Sequence, residues 1–417
     1  MGSLILPMLL ATALCAYGQD SAPQTEQAAS PTPAPATANP VAAASPAPIT
    51  TAPAAAAPQP MPYPSMAGPL TLPSTLMFDA GPLGKVNVGG VVSGIGMVQG
   101  NWVPGDQASR WDLDNGQLFI EKNNGWWQYF IQVGAYNIPD LGAPTLSTSD
   151  WVKQLYGPFP QGFLKIQPSA KNNFSMEIGA LPTLIGAEYT FDFENVNISR
   201  GLLWNQENAV NRGVQLNDSW GHFSGSISWN DGFYSNRYTW LWGSLSYAIN
   251  PSNTISFVGG GNLGQTKFTT FATPVQNNSQ IYNVIYTYTH KAWVINPYFQ
   301  YTDVPTNAQI GIAHGASTTG GALLLTYNFK DGFSMCGRGE YITSSGNAAE
   351  NAVNLMYGPG SSAWSLTLTP TYQKHRFFLR AEFGFVDAQN ITPGDAFGPL
   401  GLNRTQPRGV IESGYVF

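Results

Sequence analysis

The longest gap between predicted strands, residues 182–211, carries several charged residues; it reads "PTLIGAEYTFDFENVNISRGLLWNQENAV" and leads into "NRGVQL". Charges of opposite sign that face each other across a narrow aqueous gap set a transverse field, and that field biases which ions pass. With four carboxylates against two arginines, the segment predicts a mild preference for cations. These six candidate residues are Glu188, Asp192, Glu194, Arg200, Glu207 and Arg212.

A second set of charges lies in strand-like stretches that could form the opposing wall. These candidates are Lys165, Glu177, Arg338, Glu340, Arg380 and Glu382. Two pairs, one on each of two stretches, stand two residues apart and so share a strand face. A purely structural role, in which they pair with each other or with a neighbour, remains open. It also remains open whether segment 182–211 narrows the passage or only covers its outer mouth.

The sequence gives no support for a hydrolytic, metal-binding or dinucleotide-binding site. The four histidines are His222, His290, His314 and His375, and three of them fall in or beside short turns, so a hydrolytic site with a histidine base is not expected. None of the histidines has metal-ligand spacing, and no metal or cofactor is predicted. "GGGNLG" matches a dinucleotide fingerprint in letters, but it closes a strand and no helix follows it. The sequence therefore does not predict an enzyme.

The stretches that must position the charges alternate with period two, which predicts β-strands. In "SAWSLTLTPTYQKHRFFLRAEFGFV", residues 362–386, Trp364, Leu366 and Leu368 oppose Ser365 and Thr367. In a soluble sheet the apolar face meets a core. In a membrane barrel it meets lipid, while the polar face lines a wet interior.

Composition favours the membrane alternative. Only 10% of the 417 residues are charged and 13% are aromatic, whereas about 25% charged is usual for a soluble domain. The sequence has no run of about 18 apolar residues, so no transmembrane helix is predicted. The net charge of −6 gives no footprint for nucleic acid.

The spacing of the strands decides the architecture, because short and long gaps alternate along the chain as they do in outer-membrane barrels. We predict an all-β fold: a transmembrane antiparallel up-and-down β-barrel of about 16 strands, with a range of 14–18. An even count places both termini on the short-turn side, which is the periplasmic side of such barrels. The predicted strands are 86–98, 113–121, 127–137, 162–167, 173–181, 212–219, 222–230, 238–249, 254–263, 281–290, 292–303, 319–329, 333–344, 363–374, 376–388 and 409–417.

The N-terminal region is of another kind. Residues 1–18 resemble a signal peptide with an apolar stretch, although "MGS" lacks the usual positive charge. Residues 19–84 are rich in Ala and Pro, and we predict a disordered periplasmic linker, either an inert spacer or a tail that contacts the cell wall. The barrel is assigned to 85–417. Pro297 and Pro370 interrupt two of its strands and are expected at bulges or membrane edges.

The chain ends on "GVIESGYVF", in which Tyr415 and Phe417 share the apolar face. An amphipathic last strand that closes on an aromatic residue is typical of the signal read by the barrel-assembly machinery of the outer membrane. We therefore predict that Tyr415 and Phe417 carry that signal.

At this point the sequence resembles the OmpL-like family of β-barrel porins. The resemblance rests on "IGAEYTFDFENVNISRGLLWNQENAVNRGVQLND", on "GSISWNDGFYSN" and on the aromatic C-terminus, and it covers roughly residues 85–417. It implies an outer-membrane channel of a Gram-negative bacterium and leaves the solute open. General porins of sixteen strands fold their third loop into the barrel and are usually trimers, so the resemblance also implies a homotrimer.

These observations together predict a porin: a water-filled channel in outer-membrane lipid for passive diffusion of small hydrophilic solutes or ions. The alternative is a structural or adhesive barrel whose lumen is plugged and whose tail and loops carry the function. Single-channel conductance distinguishes the two.

Overall fold

The structure, a computed structural model, describes residues 64–73, 75–169 and 173–417. Within these ranges each of the strands β2–β17 pairs antiparallel with the next, and β17 pairs with β2, which closes a barrel of sixteen strands. A short additional strand, β1, pairs with the start of β2. The all-β barrel prediction is confirmed.

The strands are β1 Leu76–Asp79, β2 Lys85–Gln99, β3 Ser109–Lys122, β4 Trp127–Tyr136, β5 Gln161–Ile166, β6 Ser175–Pro182, β7 Val210–Trp220, β8 Phe223–Asn230, β9 Trp240–Asn250, β10 Asn253–Asn262, β11 Gln280–His290, β12 Trp293–Val304, β13 Ala316–Asn328, β14 Phe333–Ser344, β15 Ser362–Lys374, β16 Phe377–Gln389 and β17 Thr405–Val416. The helices are α1 Thr148–Gln154 and the 3₁₀ turns Gly81–Leu83, Asp192–Glu194, Trp204–Gln206, Val275–Asn278, Ala308–Ile310 and Ala348–Glu350.

The apolar face of the strands points outward. On β8, Ile227 is 60% exposed, whereas Ser226 and Ser228 on the other face are buried at 5% and 0%. The same alternation runs along β15, where Leu366 is exposed and Thr367 is buried. Exposed apolar side chains around a closed barrel suit contact with lipid, and the polar face is left to the interior.

The two ends of the barrel differ. At the end that we call the short-turn end, two-residue turns such as 221–222 and 291–292 join neighbouring strands; at the long-loop end the connections reach the length of residues 183–209. Exposed tryptophans ring both ends, with Trp220 and Trp293 at the first and Trp111 and Trp364 at the second. Such rings suit the two lipid–water boundaries.

Both strand prolines lie inside strands and interrupt one of their two ladders. Pro297 remains opposite Leu323 of β13, but the pairing of β12 with β11 breaks off between Tyr298 and Ile295. Pro370 likewise faces β14, while the pairing of β15 with β16 lapses beside it. A residue without an N–H loses one ladder bond, which accounts for the gaps. The expectation of bulges or membrane edges was therefore only partly right.

Only the last part of the N-terminal region, from residue 64 onward, can be compared with the predictions. Residues 1–63, which include the predicted signal peptide 1–18 and most of the linker 19–84, lie outside the described residues. The last part of that linker differs from the prediction, because residues 64–73 lie inside the barrel and Leu76–Asp79 form β1. Among the residues that the structure describes, no helix is long and apolar enough to cross a membrane.

Candidate functional site

The connection between β6 and β7, residues 183–209, folds into the barrel, and we call it the inward loop. All its residues are buried except Ala187 and Tyr189, which are half-buried. A loop that only covered the outer mouth would expose one of its faces to water. The inward loop instead crosses the interior and contacts the wall on both sides.

The tip of the inward loop is organised by its own polar side chains. The Asn195 side chain accepts a hydrogen bond from the Tyr189 amide at 2.6 Å and donates to the carbonyls of Tyr189 and Phe191 at 2.8 and 2.7 Å. The Glu194 carboxylate accepts from the Phe191 amide at 2.9 Å. These bonds satisfy backbone groups that are buried away from water, so the loop needs no regular secondary structure.

One side of the inward loop is aromatic. Phe193 lies 5.6 Å from Phe119 of β3 between ring centroids, and Phe191 meets Tyr136 of β4 edge to face at 5.3 Å. All four rings are buried. The "YTFDF" run of the sequence therefore fixes the loop to this side by apolar contact.

The other side of the inward loop meets β14. Arg338 donates to the Glu188 carboxylate and, at 2.8 Å, to the Ser199 carbonyl. Glu340, two residues along the same face, accepts from the Leu202 amide at 3.0 Å. The two wall residues also pair with each other, with Arg338 Nε 3.1 Å from Glu340 Oε2.

Strand β16 binds the inward loop in the same way as β14, through one arginine and one glutamate. Arg380 donates to the carbonyls of Asp192 and Asn195 at 2.9 and 3.0 Å. Glu382 accepts from the amides of Ile198 and Ser199 at 2.6 and 3.0 Å. On both strands the arginine takes loop carbonyls and the glutamate takes loop amides, so the four wall charges hold the loop backbone.

Burial shifts the titration of the loop acids. Desolvation raises the pKa of Glu194 to about 8 and that of Glu188 to about 6, the latter despite the opposing charge of Arg338. The pKa of Glu207 rises well above its usual value, because burial and the nearby charges of Glu188 and Glu340 act together. Burial also acts against the charged form of Asp192, but hydrogen bonds and two arginines outweigh it and lower that pKa.

Two groups of predicted site residues lie apart from this cluster. Lys165 and Glu177 face each other on β5 and β6 with Lys165 Nζ 3.9 Å from the carboxylate, and both are buried. Arg212 is placed wrongly by the constriction prediction. It shares the outward face of β7 with exposed Leu216 and pairs with Asp231 at 2.7 Å, because the strand begins at Val210 and alternation turns Arg212 away from the interior.

Sequence reasoning missed other buried charges of the interior. Glu412 of β17 pairs with Arg380 at 3.2 Å, and Arg408 donates to the carbonyls of Asp140 and Ala143 at 2.5 and 3.1 Å. Alternation could have found Glu412, because Tyr415 marks the outward face and Glu412 falls on the opposite one. No pattern in the sequence around Arg408 could have predicted its contact with the β4–β5 connection.

A bulge in β3 explains a further missed carboxylate. The pairing with β2 shifts between Ser93 and Gly94, and both Asp114 and Asn115 turn inward with no exposed surface. Asn115 donates to Asp192 at 2.8 Å. Carboxylate oxygens of Asp114, Asp192 and Glu412 lie within 4.8 Å of one another, a geometry that could hold a metal ion. A bulge breaks the period-two rule, so the sequence pattern could not predict this cluster.

The lumen surface on β9–β12, across from the charged strands, is lined by uncharged polar side chains. On β9–β12, which we call the neutral wall, the inward residues near the short-turn end include the partly exposed Thr254, Ser256, Thr287 and Asn296. These hydroxyl and amide groups bond to each other, as in Asn296 Nδ2 to Thr287 Oγ1 at 2.7 Å. The lining that remains in contact with water therefore carries no formal charge at these positions.

The C-terminal residues close the barrel. The amide and carbonyl of Phe417 exchange hydrogen bonds with Gly90 of β2 at 2.9 and 2.8 Å. A Cβ at position 90 would lie 2.6 Å from the tip of the Phe417 ring, so this approach requires glycine. Tyr415 is 47% exposed on the outer face.

A closed sixteen-stranded barrel with an apolar exterior, aromatic rings at both rims and a loop held across its interior defines a porin of the bacterial outer membrane. The family model described as "Putative beta-barrel porin-2, OmpL-like" matches residues 85–417, and the chain belongs to this family. The resemblance drawn from the loop sequence is thereby confirmed.

Solved structures give the same fold at low sequence identity. The trimer form of in-vitro folded OmpT of Vibrio cholerae is similar with a TM-score of 0.51 and 13% identity over 80% of this chain and 99% of that one. The outer-membrane channel DcaP of Acinetobacter baumannii gives 0.55 and 10% over 80% and 97%. Salmonella typhi OmpF in complex with daunomycin gives 0.52 and 10% over 80% and 98%. No curated protein matches the chain.

Proposed function

We propose that this porin passes small hydrophilic solutes or ions by passive diffusion, with a mild preference for cations. The inward loop supports the proposal, because it narrows the barrel with four carboxylates, Glu188, Asp192, Glu194 and Glu207. When ionised, these four carboxylates outnumber the one arginine of the inward loop, Arg200. An excess of negative charge around an aqueous path favours cations.

The first test is single-channel conductance and reversal potential of the purified protein in planar bilayers. We expect stepwise currents and a reversal potential on the cation side. The triple variant Glu188→Gln, Asp192→Asn and Glu194→Gln should shift the reversal potential toward zero. Arg212→Gln is the matched control, since it removes a charge from the same stretch of sequence on the outward face. Equal shifts in both variants would refute the role of the loop acids.

A plugged structural barrel is the second candidate, and the close filling of the interior favours it. Glu340 and Glu382 are each 5% exposed although they line the lumen. A correctly inserted protein that stays silent under all voltages and variants would establish this candidate. We propose no catalytic role in either case.

We also propose an orientation of the barrel in the outer membrane. We expect the short turns, the C-terminus and the part of segment 19–84 that precedes residue 64 in the periplasm, with residues 1–18 removed as a signal peptide. Accessibility of a cysteine at Ser252, in the turn between β9 and β10, tests the orientation in intact cells. Labelling from outside would invert it.

Three interactions complete the proposal. We expect the barrel-assembly machinery to read Tyr415 and Phe417, so that Phe417→Ser lowers the amount of folded protein in the membrane. Trimer formation is supported by the trimer form of the Vibrio cholerae protein, and cross-linking in native membranes tests it. Binding of the tail to the cell wall is tested by pull-down with purified peptidoglycan, and we expect no binding of nucleic acid.

A further inference from the structure

Residues 64–73, which we call the N-terminal segment, lie inside the barrel and span from the short-turn end to the inward loop. Near the rim, the Thr71 amide donates to Gln373 Oε1 and Gln373 Nε2 donates to the Thr71 carbonyl, each at 2.8 Å. Deeper in, the amides of Ala67 and Gly68 donate to the Glu194 carbonyl at 2.8 and 3.0 Å. The segment therefore touches both the rim of the barrel and the tip of its constriction.

The N-terminal segment is seated by apolar contacts on the side of the lumen formed by β2–β5. Leu70 is 1% exposed and belongs to one cluster with Phe119, Phe130 and Phe191. Met66 and Leu72 pack against the same cluster. The segment lies on the inner surface of these wall strands. It therefore occupies space in the lumen that a diffusing solute would otherwise cross.

The fit is tight at Gly68. A Cβ built there would lie 2.2 Å from the Asn195 carbonyl oxygen of the inward loop, which is closer than real Cβ atoms come. The neighbouring Ala67 is exposed, so this restriction is specific to one position. The sequence "PSMAGPLTLP" also carries no charge, and its three prolines favour an extended chain that can lie along a narrow lumen.

The N-terminal segment and the inward loop are held in different ways. The inward loop is tied to β14 and β16 by buried guanidinium and carboxylate groups. The segment has no charged side chain; apolar contacts and hydrogen bonds hold it, among them those of Thr71 to the Gln373 side chain and one from the Ser65 backbone to the Glu194 carboxylate. Removing it takes one hydrogen bond from Glu194 but breaks no pair of buried opposite charges, whereas displacing the loop separates such pairs.

We propose that residues 64–73 are a removable plug that closes the lumen from the short-turn end, and that the channel conducts when the plug withdraws. The proposal rests on the proposed channel function and adds its regulation. The occupant of the lumen is a segment of the chain itself, and the neutral wall across from it borders the path that remains.

The first experiment deletes residues 64–73 and compares the protein with one that lacks residues 51–60, a stretch of equal length upstream. In planar bilayers we expect the deletion of the plug to raise single-channel conductance or open probability at least severalfold, while the upstream deletion behaves like the wild type. Equal behaviour of all three proteins, with clear channel currents, would overturn the plug and leave the channel intact.

A point variant tests the same idea without shortening the chain. Gly68→Val should open the channel as the deletion does, because the new side chain would collide with the inward loop. Ala67→Val, at an exposed position, is the matched control and should leave the currents unchanged. An unchanged current in Gly68→Val would count against the tight fit that the plug requires.

A cross-linking experiment separates the position of the segment from its effect on currents. Cys336 of β14 is a buried free cysteine and is first replaced, as Cys336→Ala, so that it cannot react. Thr71→Cys and Gln373→Cys are then joined by a short bismaleimide in native membranes, and Thr71→Cys with Ser252→Cys serves as the distant control. We expect only the first pair to react and the joined protein to stay closed. If it reacts but every variant, including the deletion, is silent, the channel function fails and the plug falls with it. Failure of the first pair to react would refute the seating itself.

Discussion

The charged side of the interior, β14–β17, and the neutral wall, β9–β12, are two unlike parts of the lumen surface. Arg338, Glu340, Arg380 and Glu382 are buried and bonded to the inward loop or to each other. The hydroxyl and amide groups of the neutral wall are partly exposed. The difference teaches that formal charge in this barrel anchors a loop, whereas uncharged groups border the water. Ion preference then depends on the loop acids that the anchors hold in place.

The largest effect is expected from breaking an anchor. Arg338→Ala leaves Glu188 and Glu340 buried without their cation, and removing one partner of a buried pair costs about 3–5 kcal/mol. The inward loop should detach locally, so trypsin should cut after Arg200, which has no exposed surface in the intact protein. Mass spectrometry of the digest measures this. Ser228→Ala, equally buried but uncharged, is the control, and cutting in both proteins would contradict the anchor.

The next effect is a dependence of ion preference on pH. Glu194 and Glu188 have pKa values raised to about 8 and about 6 from the ordinary 4.5, so both carry charge only at higher pH. Cation preference should weaken as the pH falls from about 9 to about 5. Their neutral forms favour the folded loop, so their contribution to its stability is lost as the pH rises. Reversal potentials across this range test the prediction, and the triple Gln/Asn variant, which keeps only Glu207 of the four loop acids, should show a much weaker dependence.

A smaller effect is expected from placing a charge on the neutral wall. Ser256 of β10 is partly exposed and hydrogen-bonds to Ser246 at 2.7 Å. Ser256→Lys should lower cation conductance and move the reversal potential toward anions without loosening the inward loop. Ser256→Gln has similar polarity and no charge, and should change the conductance less. If the two variants behaved alike, the neutral wall would not border the ion path.

The smallest effect concerns Arg212 on the outward face. It pairs with Asp231 at 2.7 Å; about a third of the Arg212 side chain is exposed, whereas that of Asp231 is buried, so the loss lies between that of an exposed pair, roughly 0–1 kcal/mol, and that of a fully buried pair. Arg212→Gln should therefore lower the thermal midpoint less than Arg338→Ala and leave trypsin resistance at Arg200 intact. If Arg212→Gln lost as much trypsin resistance as Arg338→Ala, the conclusion that only Arg338 anchors the inward loop would be wrong.

The fold was accessible from the sequence because a barrel in lipid imposes period two on every strand and unequal connections on its two ends. Some strand bounds were predicted wrongly. For example, β3 begins with the mostly polar residues Ser109–Asp112, which the predicted strand 113–121 omitted. The strand Leu76–Asp79 was missed because it is a short addition beside β2.

The site was accessible only in part. The charges of the inward loop and of β14 and β16 could be identified by composition and alternation, but their partners could not, since Glu382 binds amides 183 and 184 positions away. Asp114 turned inward through a bulge, and Arg212 turned outward through the starting point of β7. The seating of Leu70 in the lumen depends on a cavity that forms only after the barrel closes.

The seam between β2 and β17 has a consequence for biogenesis. Gln99 and Arg408, which meet across it, are 309 positions apart, and Phe417 completes it against Gly90. Until the last strand is available, the edges of β2 and β16 have no partner along this seam, and unpaired edges favour aggregation. Closure of the barrel therefore comes last, after nearly the whole chain has been made, and the unpaired edges must be kept from other chains until then.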